Sequence, residues 1–266
     1  MWIDSHCHLN HENNAEGDTP SVIIERARAA GVKGMLTVCC EIDKEFEGLL
    51  DLATSHDNVW CSIGTHPHEA VQDTEIQYSA SDIADLASKS PKVIGIGESG
   101  LDYYYNHSPK DEQQVSFRKH IQACLEADLP LIVHARDADE DIVQILKEEN
   151  ESGKLRGLMH CFSSTQYLAD KALEMGFYIS FSGIVTFKKA EELRNIAKTV
   201  PLERILVETD SPYLAPEPYR GKVNEPAHVV HTGKCLAEIH NVSEEDLASH
   251  STQNFFDLFQ KAAFVQ

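Results

Sequence analysis

Residues 4 to 8 read DSHCH and set two histidines, His6 and His8, around Cys7. On a strand, side chains alternate between faces, so both imidazoles share one face and Cys7 takes the other. That spacing suits a metal grip, with Cys7 a packed thiol. In a chain of 14 histidines one such pair carries little weight. It gains weight from His66 in GTHPH, Glu98 in GIGES, His134 in LIVHA, His160 in LMHCF and Asp210 in LVETD. Each closes, or lies just past, a short apolar run of the kind that forms a buried strand. Imidazole and carboxylate are the donors of Zn, Mn, Fe and Co sites, and the set suits Mg less well.

What must position them is an alternation of apolar runs with longer amphipathic ones. Strands are expected at MWID, VKGMLTVCC, VWCSIGTH, VIGIGES, LPLIVHA, LRGLMHCF, FYISFSG and RILVETD. Helices are expected between and after them, the longest near DEQQVSFRKHIQACLEA and the last at TQNFFDLFQKA. Eight such units in 266 residues predict one domain, residues 1–266, folded as a (β/α)8 TIM-type barrel of amidohydrolase-like form. An open doubly wound sheet is the alternative. It lacks its dinucleotide fingerprint: GIGESG is followed by LDYYYNH, which does not begin a helix. In a parallel barrel the strand ends converge on one rim, where unpaired imidazoles and carboxylates would pay for desolvation unless cations were bound.

A division of labour follows from the donor types. His6, His8 and Asp210 suffice for one metal, His134 and His160 for a second, and Glu98 has two oxygens with which to bridge. Two cations sharing a water lower its pKa towards neutrality and make it a nucleophile, with Asp210 available as the general base. Strand parity puts Asp4 beside His6 and Glu208 beside Asp210. Both carboxylates are candidates to orient a metal-bound imidazole, with a structural hydrogen bond the competing reading. His66 is a candidate to touch substrate. Arg220, a rare positive charge in the loop PYLAPEPYRGKVNEP, is a candidate for a phosphate contact. Arg136 either meets a phosphate or pairs with Asp137 or Asp139. The run Tyr103 to Tyr105 reads as packing, His68 as structural, and His11, His56, His107, His120, His228, His231, His240 and His250 as helix or surface residues.

Composition narrows the functions. Lys plus Arg is 23 against 43 Asp plus Glu, a net charge of -20. Such a surface repels phosphate backbones at long range and excludes a broad basic groove, while leaving a local phosphate contact open. The seven cysteines, an odd number without C-x-x-C, read as reduced thiols of a cytoplasmic protein. Neither a signal peptide nor a membrane span is expected, and the acidic helices predict a monomer.

The stretches DSHCHL, GTHPH, IGIGESGLDYYY, LIVHARDA, HCFSS, YISFSGIVTF, ILVETDSPYLAP and YRGKVNEPAH, with NFFDLF near the end, resemble the TatD family of metal-dependent hydrolases. That resemblance implies a barrel, two divalent metals and deoxyribonuclease activity, often exonucleolytic and here expected in the 3′-5′ direction. It places His6, His8, Glu98, His134, His160 and Asp210 on the family's metal positions. Related amidohydrolases bridge their metals with a modified lysine at strand four, where this chain has Glu98. Two other functions stay open. One is hydrolysis of acyl ester or amide bonds, such as deacylation of D-aminoacyl-tRNA. The other is a non-catalytic metal-binding scaffold.

Overall fold

A computed structural model describes residues 1–15 and 17–264. The eight apolar runs form strands β1 (Trp2–Cys7), β2 (Val32–Thr37), β3 (Val59–Ile63), β4 (Val93–Asp102), β5 (Leu131–Arg136), β6 (Gly157–Met159), β7 (Tyr178–Phe181) and β8 (Ile205–Val207). They pair in parallel and in chain order, without the strand-order switch of a doubly wound sheet. The barrel is drawn closed just beyond β8. Asp210 donates its amide to His6 O at 3.0 Å, and His8 donates to Ser211 O at 2.9 Å. The seam is therefore built from backbone groups of the residues that carry the chemistry.

The outer layer comprises α1 (Pro20–Ala29), α2 (Ile42–Ser55), α3 (Asp73–Ile76), α4 (Ala80–Ser88), α5 (Lys110–Ala127), α6 (Asp139–Glu149), α7 (Gln166–Glu174), α8 (Glu191–Ala197), α9 (Val229–His240) and α10 (Glu244–Leu258). None is long and apolar enough to cross a membrane. The last helix begins well before the expected TQNFFDLFQKA, because Ser243 caps it by accepting the amide of Asp246 at 3.0 Å.

Two apolar layers hold these elements. Ile3, Leu36, Trp60, Ile94, Ile132, Leu158, Tyr178 and Leu206 come one from each strand and pack together with Phe255, Leu258 and Phe259. This cluster takes a residue from every strand and none from α1 to α9, which places it in the barrel interior, so α10 closes the lower mouth. The larger cluster lies between the strands' outer faces and the helices. The opposite mouth, at the strand C-terminal ends, is left for polar side chains.

Strict alternation fails at one place on β1. Ile3 belongs to the inner cluster and Cys7 to the outer, although the two share parity. The pairing with β2 shifts between Asp4 and Cys7, which turns His6 inward and leaves Asp4 on the other side. A second departure is the length of β4, which runs past Glu98 to Asp102. Gly100 permits this: its φ is +153°, and a Cβ there would stand 2.0 Å from His134 O.

His120, expected only to sit on a helix, is fully buried on α5. It donates Nδ1–H to Ser116 O at 2.8 Å and accepts the Thr65 amide on Nε2 at 3.0 Å. Burial pushes its pKa down to about 3, against roughly 6.5 in an unfolded chain. The unfolded chain thus takes up a proton that the folded chain refuses. The stability contributed by this group is complete above about pH 6.5 and is lost as pH falls towards 3. In thermal melts, His120→Gln is expected to lose Tm less steeply than wild type between pH 6.5 and pH 4. Parallel slopes would contradict this.

Candidate metal centre

Glu98 is the hub of the open mouth and is almost fully buried. Its Oε1 lies 2.7 Å from His134 Nδ1, 2.8 Å from His160 Nε2 and 3.4 Å from His66 Nε2. Its Oε2 lies 3.3 Å from His6 Nε2. His6 Nε2 and His8 Nε2 are 3.3 Å apart, and Asp210 Oδ1 is 3.5 Å from His8 Nε2 and 3.7 Å from His6 Nε2. The His6 ring stacks on His160 at 3.8 Å. The structure thus brings together His6, His8, Glu98, His134, His160 and Asp210, with His66 against the same carboxylate.

Hydrogen bonds on the far sides of these rings decide what the near sides offer. His134 donates Nε2–H to Asp102 Oδ2 at 3.2 Å, His160 donates Nδ1–H to Glu208 Oε1 at 3.1 Å, and His8 donates Nδ1–H to Val38 O at 3.3 Å. In the neutral rings the remaining nitrogens are lone pairs, and they point at carboxylate oxygens. Lone pair against lone pair is repulsive, so a cation belongs between them, whether proton or metal ion. Within this group of side chains, the buried atoms His6 Nδ1 and Glu208 Oε2 have no hydrogen-bond partner. The groupings His6–His8–Asp210, His6–Glu98–His160 and His66–Glu98–His134 each place their ligand atoms within 4.8 Å of one another. This mixed nitrogen and oxygen set fits a divalent ion.

The titration shifts follow from the same geometry. Burial pushes Glu98 up, but the charges of His160 and His66 and the bonds from His134 outweigh it and hold the carboxyl well below its usual range. Burial pushes His160 down, but Glu98 and Glu208 outweigh it and hold the imidazole well above its usual range. His134 is raised in the same way by Asp102 and Glu98. His66, for which burial dominates, falls to about 4.

Of the two carboxylates expected to orient imidazoles, Glu208 meets a ring, that of His160, and also accepts the Cys161 amide at 2.8 Å. Asp4 does not. It accepts the Thr209 amide at 2.9 Å, the Thr209 hydroxyl at 2.6 Å and the His6 amide at 3.3 Å, so it fixes the backbone at the barrel seam. The register shift on β1 is the physical reason. Arg220 lies on the loop after β8 with its guanidinium 3.5 Å over the Phe187 ring.

Sequence reasoning missed Asp102, which holds both His134 and, at 3.0 Å, His68. The signal was present: Asp102 has the parity of Glu98 on one strand, and that strand was ended too early. Cys40 was also missed, with Sγ 3.9 Å from both Glu98 Oε2 and His8 Nδ1. Tyr103 packs as expected, its hydroxyl donating to Asp141 at 2.6 Å, whereas Tyr104 and Tyr105 lie exposed. Arg136 pairs with neither Asp137 nor Asp139. It stacks on those two tyrosines, while Asp139 accepts from Ser164 and Thr165.

A parallel barrel with these donors at its strand ends has the form of a metal-dependent hydrolase. Comparison supplies the family. Residues 3–260 match the family described as TatD related DNase, and the chain belongs to it. It is 44% identical to the Escherichia coli K12 protein named as an uncharacterised metal-dependent hydrolase, YcfH, over 97% of this chain and 95% of that protein. It is 34% identical to a Salmonella typhimurium protein named 3′-5′ ssDNA/RNA exonuclease TatD, over 90% of this chain and 92% of that protein. The fold matches the crystal structure of YjjV, a TatD homologue from Escherichia coli K12, with a TM-score of 0.88 at 24% identity, over 97% of this chain and 98% of that one. The protein is thus a metal-dependent hydrolase of the TatD family.

Because Glu98, with Asp102 and Glu208, raises the imidazoles of His134 and His160 and so favours a proton where a cation would bind, metal uptake is expected to displace protons. Titrating metal-stripped protein with Zn or Mn in two buffers of different ionisation enthalpy is expected to give different apparent heats. Identical heats would mean that the near-side nitrogens are not the ligands.

Proposed function

We propose that this chain hydrolyses phosphodiester bonds at the 3′ ends of DNA with two divalent cations, as a monomeric cytoplasmic enzyme. One observation carries the reading: the two oxygens of Glu98 face different imidazoles, Oε2 that of His6 and Oε1 those of His134 and His160. His6, His8 and Asp210 would hold one cation and His134 and His160 the other, with Glu98 within reach of both. When bound, such a pair supplies Lewis acidity that makes water nucleophilic near neutral pH and stabilises a leaving oxygen.

The chain's own groups do the rest. Asp210 sits at φ +54°, a conformation that costs a non-glycine residue free energy and is held here by the seam hydrogen bond to His6 O. Burial raises its pKa, but the bond from His8 and the charges of His160 and His6 hold the carboxyl below its usual range. It is therefore an unprotonated acceptor for the proton of the attacking water. Asp102 and Glu208 keep His134 and His160 in the tautomers that face Glu98. His66, neutral near pH 7, is placed to touch the substrate beside Glu98. Arg220 is held by its face on Phe187, which leaves its N–H edge for a phosphate oxygen. The name of the Salmonella relative supports a nucleic-acid substrate.

The net charge of -20 favours a second reading, in which the same centre cleaves an acyl ester or amide. A 5′-labelled single-stranded oligonucleotide in Mg, Mn or Zn separates the two. The nuclease reading predicts a ladder shortening from the 3′ end, abolished by chelator. Glu98→Gln, which removes one shared donor, is expected to lower turnover about a hundredfold or more. Unchanged turnover in Glu98→Gln, or cleavage of acyl substrates alone, would overturn it.

A further inference from the structure

Beside the metal centre stands a group that the chemistry just described does not use. Tyr104 and Tyr105 are 59% and 52% exposed and adjacent, which makes one continuous aromatic patch. Their rings meet edge to face, with centroids 5.0 Å apart and planes at 88°. The Arg136 guanidinium lies 4.3 Å over Tyr104 and 4.6 Å over Tyr105. Arg136 is itself exposed, and no carboxylate among the described residues pairs with it. In a chain with almost twice as many acids as bases, an arginine at the rim without an acidic partner marks a locally positive spot.

This group is tied to the metal centre by a short path. Asp102 accepts the Tyr105 amide on Oδ1 at 2.9 Å, while its Oδ2 accepts from His134 and His68. One carboxylate thus fixes both the imidazole against Glu98 and the backbone that presents the tyrosine. The His68 ring lies 5.6 Å from Tyr105 and 4.3 Å from His66, which itself faces Glu98. A single imidazole layer separates the exposed aromatics from the ring beside the bridging carboxylate.

We propose that Tyr104, Tyr105 and Arg136 form a stacking platform for an unpaired nucleobase next to the phosphodiester being cleaved, which selects single-stranded ends. The proposal rests on the nuclease reading above. Stacking needs a π-face and tolerates any base, and a guanidinium packed on the rings adds attraction for the base and for the neighbouring phosphate. A paired base has both faces covered by its neighbours in the duplex and cannot use the platform without unstacking.

The test compares steady-state kinetics of the metal-loaded wild type, Tyr104→Ala, Tyr105→Ala and Tyr105→Phe. One substrate is a 5′-labelled single-stranded oligonucleotide. The other is the same strand with abasic nucleotides at the two positions preceding its 3′-terminal residue. On the normal strand each alanine variant is expected to raise KM about tenfold, the size of effect one base–aromatic stack produces, with kcat within about twofold. Tyr105→Phe keeps the ring and should match wild type. On the abasic strand the alanine variants and wild type should be equal. Alanine variants equal to wild type on the normal strand, or impaired by the same factor on both strands, would overturn the platform and leave the nuclease reading standing. Wild type that cleaves neither strand in any metal would overturn both.

Discussion

Glu98 is the constraint around which the structure is organised. It is a buried carboxylate whose two oxygens are surrounded by imidazole nitrogens from β1, β5 and the segments after β3 and β6. Two of those rings, His134 and His160, commit their other N–H to Asp102 and Glu208, so in the neutral rings a lone pair of each faces Oε1. The arrangement is repulsive without positive charge in its middle. A desolvated carboxylate is costly, and several desolvated lone pairs aimed at it are costlier. A barrel that spends the ends of its strands in this way is built to hold cations, and the fold supplies the rigidity that keeps the ligands apart until they bind.

The rigidity has identifiable sources. Barrel closure runs through the amides of His8 and Asp210 and the carbonyl of His6, so candidate ligands from the two ends of the barrel are also the rivets of the seam. Asp4 locks Thr209 beside that rivet from the opposite face. Gly100 lets β4 approach β5 closely enough for Asp102 to reach His134. At the far mouth the aromatic face of α10 fills the interior, so the polar mouth can stay open without loss of the core. Stability and chemistry are segregated to opposite ends of the strands, as parallel barrels generally arrange them.

Much of this was legible in the sequence for physical reasons. Eight short apolar runs separated by amphipathic stretches have few other ways to bury themselves than a parallel barrel. Polar residues that close such runs must then meet at one rim, which is why His66, His134, His160 and Asp210 could be placed before any coordinates. The errors are local and share a cause. Face assignment by alternation assumes unbroken register, and the shift on β1 moved Asp4 away from the imidazoles. Ending the fourth strand at GES hid Asp102, because glycines that weaken a strand's signal are here what permits its close approach to β5. The tyrosine run divided: Tyr103 found Asp141, whereas Tyr104 and Tyr105 stayed exposed beneath Arg136, and nothing in three identical letters distinguishes them. The true start of α10 was signalled by Ser243 followed three residues on by Asp246, a capping pattern eclipsed by the stronger apolar run behind it.

The central claim is that Glu98 belongs to two cation sites at once. Anomalous diffraction from crystals of the protein grown with Mn or Zn tests it most directly. The account predicts two peaks about 3.5–4 Å apart, as in two-metal hydrolases. One should lie against His6, His8 and Asp210 and the other against His134 and His160, with a Glu98 oxygen on each. A single peak, or two peaks of which Glu98 touches one or neither, would contradict it.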